Sequence, residues 1–201
     1  MKKLRVLIAC EESQVVCRAF RAKGHEAYSC DIQECSGGHP EWHIRGDVFE
    51  HLNKMRMKYY DLIIAHPDCT YIANSGVRWL YNDDGYFNHT RYRKMEDACH
   101  FFNRFKYWSR KVAIENPIPH KHAVAYIGKY NQLIQPWQFG HTTSKATCLW
   151  LKNLPPLIYT GIIPKEQRTQ EIWRMAPGPD RKKNRSRTFQ GIANAMANQW
   201  G

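Results

Sequence analysis

The chain has 201 residues, 43% of them hydrophobic and 24% charged, the composition of a globular protein and not of a disordered or fibrous one. Thirty Lys and Arg against 18 Asp and Glu leave a net charge of +12, which favours a polyanionic partner, nucleic acid first, and says nothing about fold. Seven scattered cysteines do not read as a secreted disulfide framework, and no apolar run approaches the roughly 18 residues of a membrane span or forms a signal sequence; the expected compartment is the cytoplasm.

Residues 6–9 form a short β-branched run and predict a strand, followed by a helix carrying Val15, Val16, Ala19 and Phe20 at helical spacing. Gly24 closes that helix, and 27–31 returns as a second strand ending in Asp31. Together they make a parallel βαβ unit with a right-handed crossover. A polar stretch at 32–42 leads to Gly46-Asp47-Val48. The continuous apolar run at 61–65 predicts a central strand covered on both faces.

From Pro67 to about His89 runs a loop of the length that functional loops have. A helix is predicted over 90–109, with Ala98, Phe101, Phe102 and Phe105 on one face, then a strand over 112–115 running into Asn116-Pro117. A helix over 122–130, an extended segment over 132–139 and a strand over 147–151 complete the core. Over 155–187 periodicity fades and Pro, Lys and Arg dominate; 191–200 reads as a short helix. The alternation predicts an α/β, doubly wound, Rossmann-like sheet in a single domain over 1–201. Residues 152–187 form a short basic segment, and 188–201 a C-terminal helix packing back on the core.

Ligands of such sheets sit at the carboxyl ends of the strands. That rule selects Cys10-Glu11-Glu12-Ser13, Asp31, His66-Pro67-Asp68-Cys69 and Glu115-Asn116-Pro117. Cys69 follows one buried strand and Glu115 ends another, so a thiol and a carboxylate share one rim: a nucleophile beside a proton donor, if the thiol is activated.

Ile64-Ala65-His66-Pro67-Asp68-Cys69 followed by Ile114-Glu115-Asn116-Pro117 resembles the two catalytic signatures of C5-cytosine DNA methyltransferases. Further blocks resemble a small phage- and prophage-type branch of that family: Asn-Ser-Gly-Val-Arg-Trp-Leu at 74–80, Gln-Pro-Trp-Gln-Phe-Gly-His at 135–141, Lys-Ala-Thr-Cys-Leu-Trp-Leu at 145–151 and Ser-Arg-Thr at 186–188. The resemblance implies a methyl transfer from S-adenosylmethionine to C5 of a cytosine flipped out of double-stranded DNA, in a bacterial or phage-infected cell. Cys69 would add to C6, Glu115 would hold N3, Asn116 would fix the catalytic loop, and Lys145 would bind the base carbonyl or a phosphate. Asp31 would hold the cofactor ribose and Asp47 would stand near the adenine amine. Cys10, Glu11, Ser13, Ile32, Val48, His66 and Pro67 would complete the cofactor pocket, with Gly191 and Asn194 closing it.

Base flipping needs phosphate contacts and a wedge or stacking side chain. Tyr71, Arg78 and Trp79 on the loop after Cys69 are candidates. Residues 165–187, with eight Lys or Arg and three acids, occupy the place of the family's target-recognition segment; Lys182, Lys183, Arg185 and Arg187 are the DNA contacts expected there.

The chain departs from the family in three places, one of them a recognition segment of only about 35 residues, which implies a short or relaxed target sequence or one supplied by a partner. The first loop contains no glycine, where methyltransferases use Gly-x-Gly to bring backbone close to the cofactor; its two carboxylates suit a cationic sulfonium. Asp68 replaces the proline beside the nucleophile, and an acid next to a thiol raises its pKa. Two alternatives therefore stand beside methylation: a methyltransferase-derived DNA-binding or decoy protein without turnover, and transfer of a different group to pyrimidine C5. Cys30, Cys35, His39 and His43 have the ligand types of a zinc site in a spacing just outside common finger patterns; a surface loop is expected there and no metal. The signatures of zinc deaminases, P-loop NTPases and Gly-x-Ser-x-Gly hydrolases do not occur.

Overall fold

The computed structural model describes residues 2–55, 59–178 and 181–201. In chain order the elements are β1 (Arg5–Ala9), α1 (Val15–Ala22), β2 (Glu26–Asp31), β3 (His43–Arg45), α2 (Val48–Lys54), β4 (Leu62–Ala65), α3 (His89–Trp108), β5 (Lys111–Pro117), α4 (Lys121–Ile127), β6 (Gln132–Ile134), β7 (Thr147–Lys152), α5 (Glu171–Arg174), α6 (Arg181–Ser186) and α7 (Gln190–Trp200). The strands form one sheet in the order β3-β2-β1-β4-β5-β7-β6. The first five are parallel, and β7 runs antiparallel to both β5 and β6.

Alternation along the buried strands sorts the core into two layers. Leu7, Ala9, Ile63, Ala65, Val112 and Ile114 pack with Phe49 and Leu52 of α2, Phe102 and Phe105 of α3 and Ile127 of α4. Val6, Ile8, Leu62, Ile64 and Ala113 pack with Phe20 of α1 and with Ile192, Met196 and Trp200 of α7. Each of these large apolar side chains contributes roughly 1.5–3 kcal/mol by burial, so both faces of β4 are committed to packing and chemistry is left to the strand ends. The Trp200 indole N–H also donates to the Pro155 carbonyl at 3.0 Å, tying the chain beyond β7 to the end of α7.

Several elements differ from the sequence reading. Strand β3 and helix α2 went unpredicted: β3 is a three-residue edge strand, and α2 begins where Asp47 Oδ1 accepts from the backbone N–H of Phe49 and Glu50, an N-cap. Helix α4 stops at Ile127, short of the expected 130, because Gly128 adopts φ 76°, a conformation that ends helices. The extended segment expected over 132–139 is a strand only to Ile134. Pro136 cannot donate to a ladder and opens a 3-10 turn, with Gln135 and Gln138 capping each other's backbone. The loop after β4 contains a 3-10 turn over Asn74–Leu80 and is bridged to the start of α4 at Ala73–Pro119.

Candidate active site at the carboxyl ends of the strands

The first loop turns without glycine by placing Cys10 and Gln14 in the left-handed region, at φ 59° and 57°, a strain of about 1–2 kcal/mol each. Tertiary bonds hold it: Cys10 N–H donates to the Cys30 carbonyl at 2.7 Å, and the Gln14 amide bridges Ser29 Oγ and both backbone groups of His39. A Cβ at Gly37 would come within 2.5 Å of Gln14 Cβ, so the absence of a side chain there lets the following loop close onto Gln14.

Glu11 is buried, and its carboxylate accepts from the N–H groups of Val16 at 2.7 Å and Cys17 at 3.2 Å. These are the donors that a phosphate uses at a helix N-terminus. The protein fills that position with its own carboxyl group, so the start of α1 offers no cradle to a dinucleotide pyrophosphate. Burial pushes the Glu11 carboxyl upward, against the pull of His66 and the two N–H donors. Glu11→Ala is expected to leave two buried donors unpaired and to lower stability in urea unfolding by about 2 kcal/mol or more. Glu11→Gln, which keeps one acceptor oxygen, is expected to lose less; a loss under about 0.5 kcal/mol for the alanine variant would show that the cap contributes nothing.

Glu12 receives the Ser36 hydroxyl, Lys183 Nζ stands 3.8 Å from its carboxylate, and Arg187 donates to Ser36 Oγ at 3.1 Å. The cations of α6 and its exit therefore rest on the rim of the first loop. Arg185 is half-buried; the side chain of Lys182 lies outside the described residues. At the end of β2, Asp31 Oδ1 accepts from Gln33 N–H and Ile32 is 73% exposed. Asp47 is engaged as the cap of α2, and the Val48 side chain sits in the core, leaving only its backbone for a ligand.

The parallel register pairs Ala65 with Ile114, which sets the next residues, His66 and Glu115, side by side. His66 Nδ1–H donates to Glu115 Oε2 at 2.8 Å, with the two side chains only 10% and 9% exposed. Burial opposes both charges, yet the His66 bond and charge, together with the Lys145 charge, draw the Glu115 carboxyl below its ordinary value. Burial likewise lowers His66, but Glu115 and then Glu11 outweigh it and hold the imidazole above its ordinary value. Both shifts favour the imidazolium–carboxylate form of the pair. The sequence reading made His66 a cofactor contact and missed this bond, which depends on the register of β4 against β5.

Asn116 Nδ2 donates to the Pro67 carbonyl at 2.8 Å and so pins the segment that carries Cys69 to the end of β5. Cys69 is half-buried at the start of a turn whose carbonyl accepts from Ile72 and Ala73 N–H. Burial, then Asp68 and Glu115, push its thiol upward, and Lys145 pulls it back. Lys145 enters β7 with its N–H on Gln135 Oε1 and its Nζ on the Arg187 carbonyl at 3.3 Å. Two buried atoms here, His66 Nε2 and Asn116 Oδ1, have no hydrogen-bond partner among the described residues, and unpaired buried polar atoms mark places for a ligand or ordered water.

The other candidates lie farther out. Arg91 and Lys94 cover the Tyr71 ring, and Arg78 stacks on the 54% exposed Trp79. Asn194 accepts from Gln190 and lines a groove with Lys3, Gly24 and His25, which precede β1 and β2; the structure does not bring it to the rim that carries Cys69. The zinc candidates do not converge: His39 stacks on Trp42, His43 bonds Ser29 and the Gln33 carbonyl, and Cys30 is buried against the Gly46 carbonyl. No group of three or more metal-ligating residues occurs among the described residues. Nor is any helix among them long and apolar enough to cross a membrane.

No family model matches the chain, and no curated protein does. Solved structures do. The Entamoeba histolytica methyltransferase EhMeth is 14% identical with a TM-score of 0.52, covering 85% of this chain and 58% of its own. The S. pombe Dnmt2 methyltransferase is 13% identical with a TM-score of 0.44, covering 88% and 55%. The bifunctional kinase-methyltransferase WbdD is 12% identical with a TM-score of 0.42, covering 79% and 36%. The chain thus spans between about a third and three fifths of the structures it resembles. At these identities the likeness is one of fold alone: the chain shares a Rossmann-like α/β fold with EhMeth.

Proposed function

We propose that the protein is an S-adenosylmethionine-dependent methyltransferase that modifies C5 of a cytosine flipped out of DNA, with Cys69 as nucleophile. The observation that carries this reading is the rim itself: a half-buried thiol after β4 and a buried carboxylate at the end of β5, locked to each other's loops by His66–Glu115 and Asn116–Pro67. Addition of sulfur to C6 makes C5 nucleophilic, and a hydrogen-bonding acid at N3 stabilises the adduct. Glu11 and Glu12 favour a cofactor that presents a cation, the sulfonium, near the first loop, and Glu11 disfavours a pyrophosphate there. Asp31 and the exposed Ile32 suit a ribose and an adenine face. Arg78 and Trp79 would enter the duplex beside the flipped base, with the +12 charge supplying the phosphate contacts.

The test is calorimetry with S-adenosylmethionine followed by trapping on DNA that contains 5-fluorocytosine. A saturable cofactor site weakened about tenfold or more by Asp31→Ala, and a covalent adduct stable to denaturation, are expected. A wild-type protein that binds cofactor and DNA but traps neither cytosine nor uracil analogues would favour the second reading, a methyltransferase-derived DNA-binding protein without turnover. One observation supports that second reading: burial and Asp68 push the Cys69 thiol upward, away from the activated state a nucleophile needs. A nucleoside mass other than that of 5-methylcytosine would point to a different transferred group.

A further inference from the structure

Resting on the cytosine reading above, we propose that His66 is a positioning residue of the reaction: its imidazolium stores the proton that Glu115 delivers to N3 of the pyrimidine as Cys69 adds to C6. The geometry leads to this step. Glu115 receives His66 Nδ1–H at 2.8 Å on Oε2, with both side chains nine-tenths buried, so the carboxylate cannot exchange freely with water. A carboxylate at rest has no proton to give, whereas cytosine N3 is an acceptor and must receive one as the ring takes up sulfur.

The step balances. The C6–S bond forms from the Cys69 thiolate, the electron pair of the C5–C6 double bond is displaced towards the ring and C5, N3 takes a proton through Glu115, and Glu115 takes the Nδ1 proton of His66, which ends neutral. If the adduct reverts before any group is transferred, the C6–S bond breaks, its electron pair leaves with the Cys69 thiolate, the C5–C6 double bond re-forms and N3 returns the proton along the same path.

The charged groups that face His66 fit a reservoir. Glu115 from β5 and Glu11 from the first loop favour the imidazolium; Lys145, before β7, opposes it. Nε2 of His66 is buried and without a partner among the described residues.

His66→Asn keeps an N–H donor for Glu115 and holds no titratable proton. Adduct formation on 5-fluorocytosine DNA is expected to slow by about 100-fold in this variant, with the DNA dissociation constant within about threefold of wild type. The wild-type rate should fall on the alkaline side as His66 loses its proton, and that fall should be absent from the variant. Equal rates and superimposable pH profiles overturn the proposal. A second measurement needs no turnover: imidazole NMR should find the His66 pKa above its ordinary 6.5 in wild type and lowered in Glu115→Gln. Titration near 6.5 in both proteins overturns the proposal even if His66→Asn fails to fold. A high His66 pKa in a wild-type protein that forms no adduct overturns the cytosine reading and the role of the stored proton with it. An adduct that His66→Asn forms as fast as wild type overturns the stored proton alone.

Discussion

Cys69→Ala is expected to form no covalent adduct with 5-fluorocytosine DNA and to lose methyl transfer by at least about a thousandfold, the scale seen when a nucleophile is removed. Binding should survive. Cys69 is half-buried on a turn held by its own backbone carbonyl and by Asn116, so removing its sulfur should leave the loop in place and the dissociation constants for DNA and cofactor within about threefold. Gel-stable adducts measured beside fluorescence anisotropy separate the two effects. Because burial, Asp68 and Glu115 hold the thiol above its ordinary value, the wild-type adduct should form faster as pH rises through the neutral range, until the imidazolium of His66 is spent. Asp68→Asn removes one of the raising charges and should move that rise to lower pH. An alanine variant that traps as well as wild type would place the nucleophile elsewhere and remove the basis of the cytosine reading.

The sheet was legible because its central strands, 6–9, 61–65 and 112–115, are short β-branched runs buried on both faces, a pattern that leaves little freedom to fold otherwise. The carboxyl-end rule then pointed to the rim at which the structure gathers His66, Glu115 and Asn116. What escaped depended on single side chains competing for backbone. By resemblance Asp47 is only a cofactor contact, whereas the two N–H bonds it accepts make it the cap of an unpredicted α2. The first loop raised an objection for lack of glycine, and tertiary bonds to Cys30, Ser29 and His39 supply what glycine's freedom would have. The His66–Glu115 bond needed the register of β4 against β5, which no periodicity reveals. The basic stretch was read as facing DNA. Lys183 and Arg187 also lean on Glu12 and Ser36, so part of that charge closes the first loop, a use that composition cannot distinguish from a free arm.

Glu115 carries the other large effect, and it should appear in stability as well as in rate. Removing one partner of a buried ion pair strands the other charge, at a cost of about 3–5 kcal/mol. Glu115→Ala is expected to approach that loss, whereas Glu115→Gln keeps the shape and an acceptor for His66 Nδ1–H and should lose less. The pH dependence distinguishes the pair from ordinary packing. Glu115 is held below its ordinary 4.5, so its contribution is complete above that value and is lost as pH falls through the lowered one. His66 is held above its ordinary 6.5, so its contribution is complete below that value and is lost as pH rises through the raised one. The two conditions overlap between 4.5 and 6.5, and there the stability gap between wild type and Glu115→Gln should be widest, narrowing towards alkaline pH as His66 becomes neutral. Urea unfolding of both proteins between about pH 5 and about pH 9 measures the gap. A gap that stays constant across that range would mean that His66 keeps one protonation state throughout it, and the pH dependence argued from the raised imidazole would be wrong.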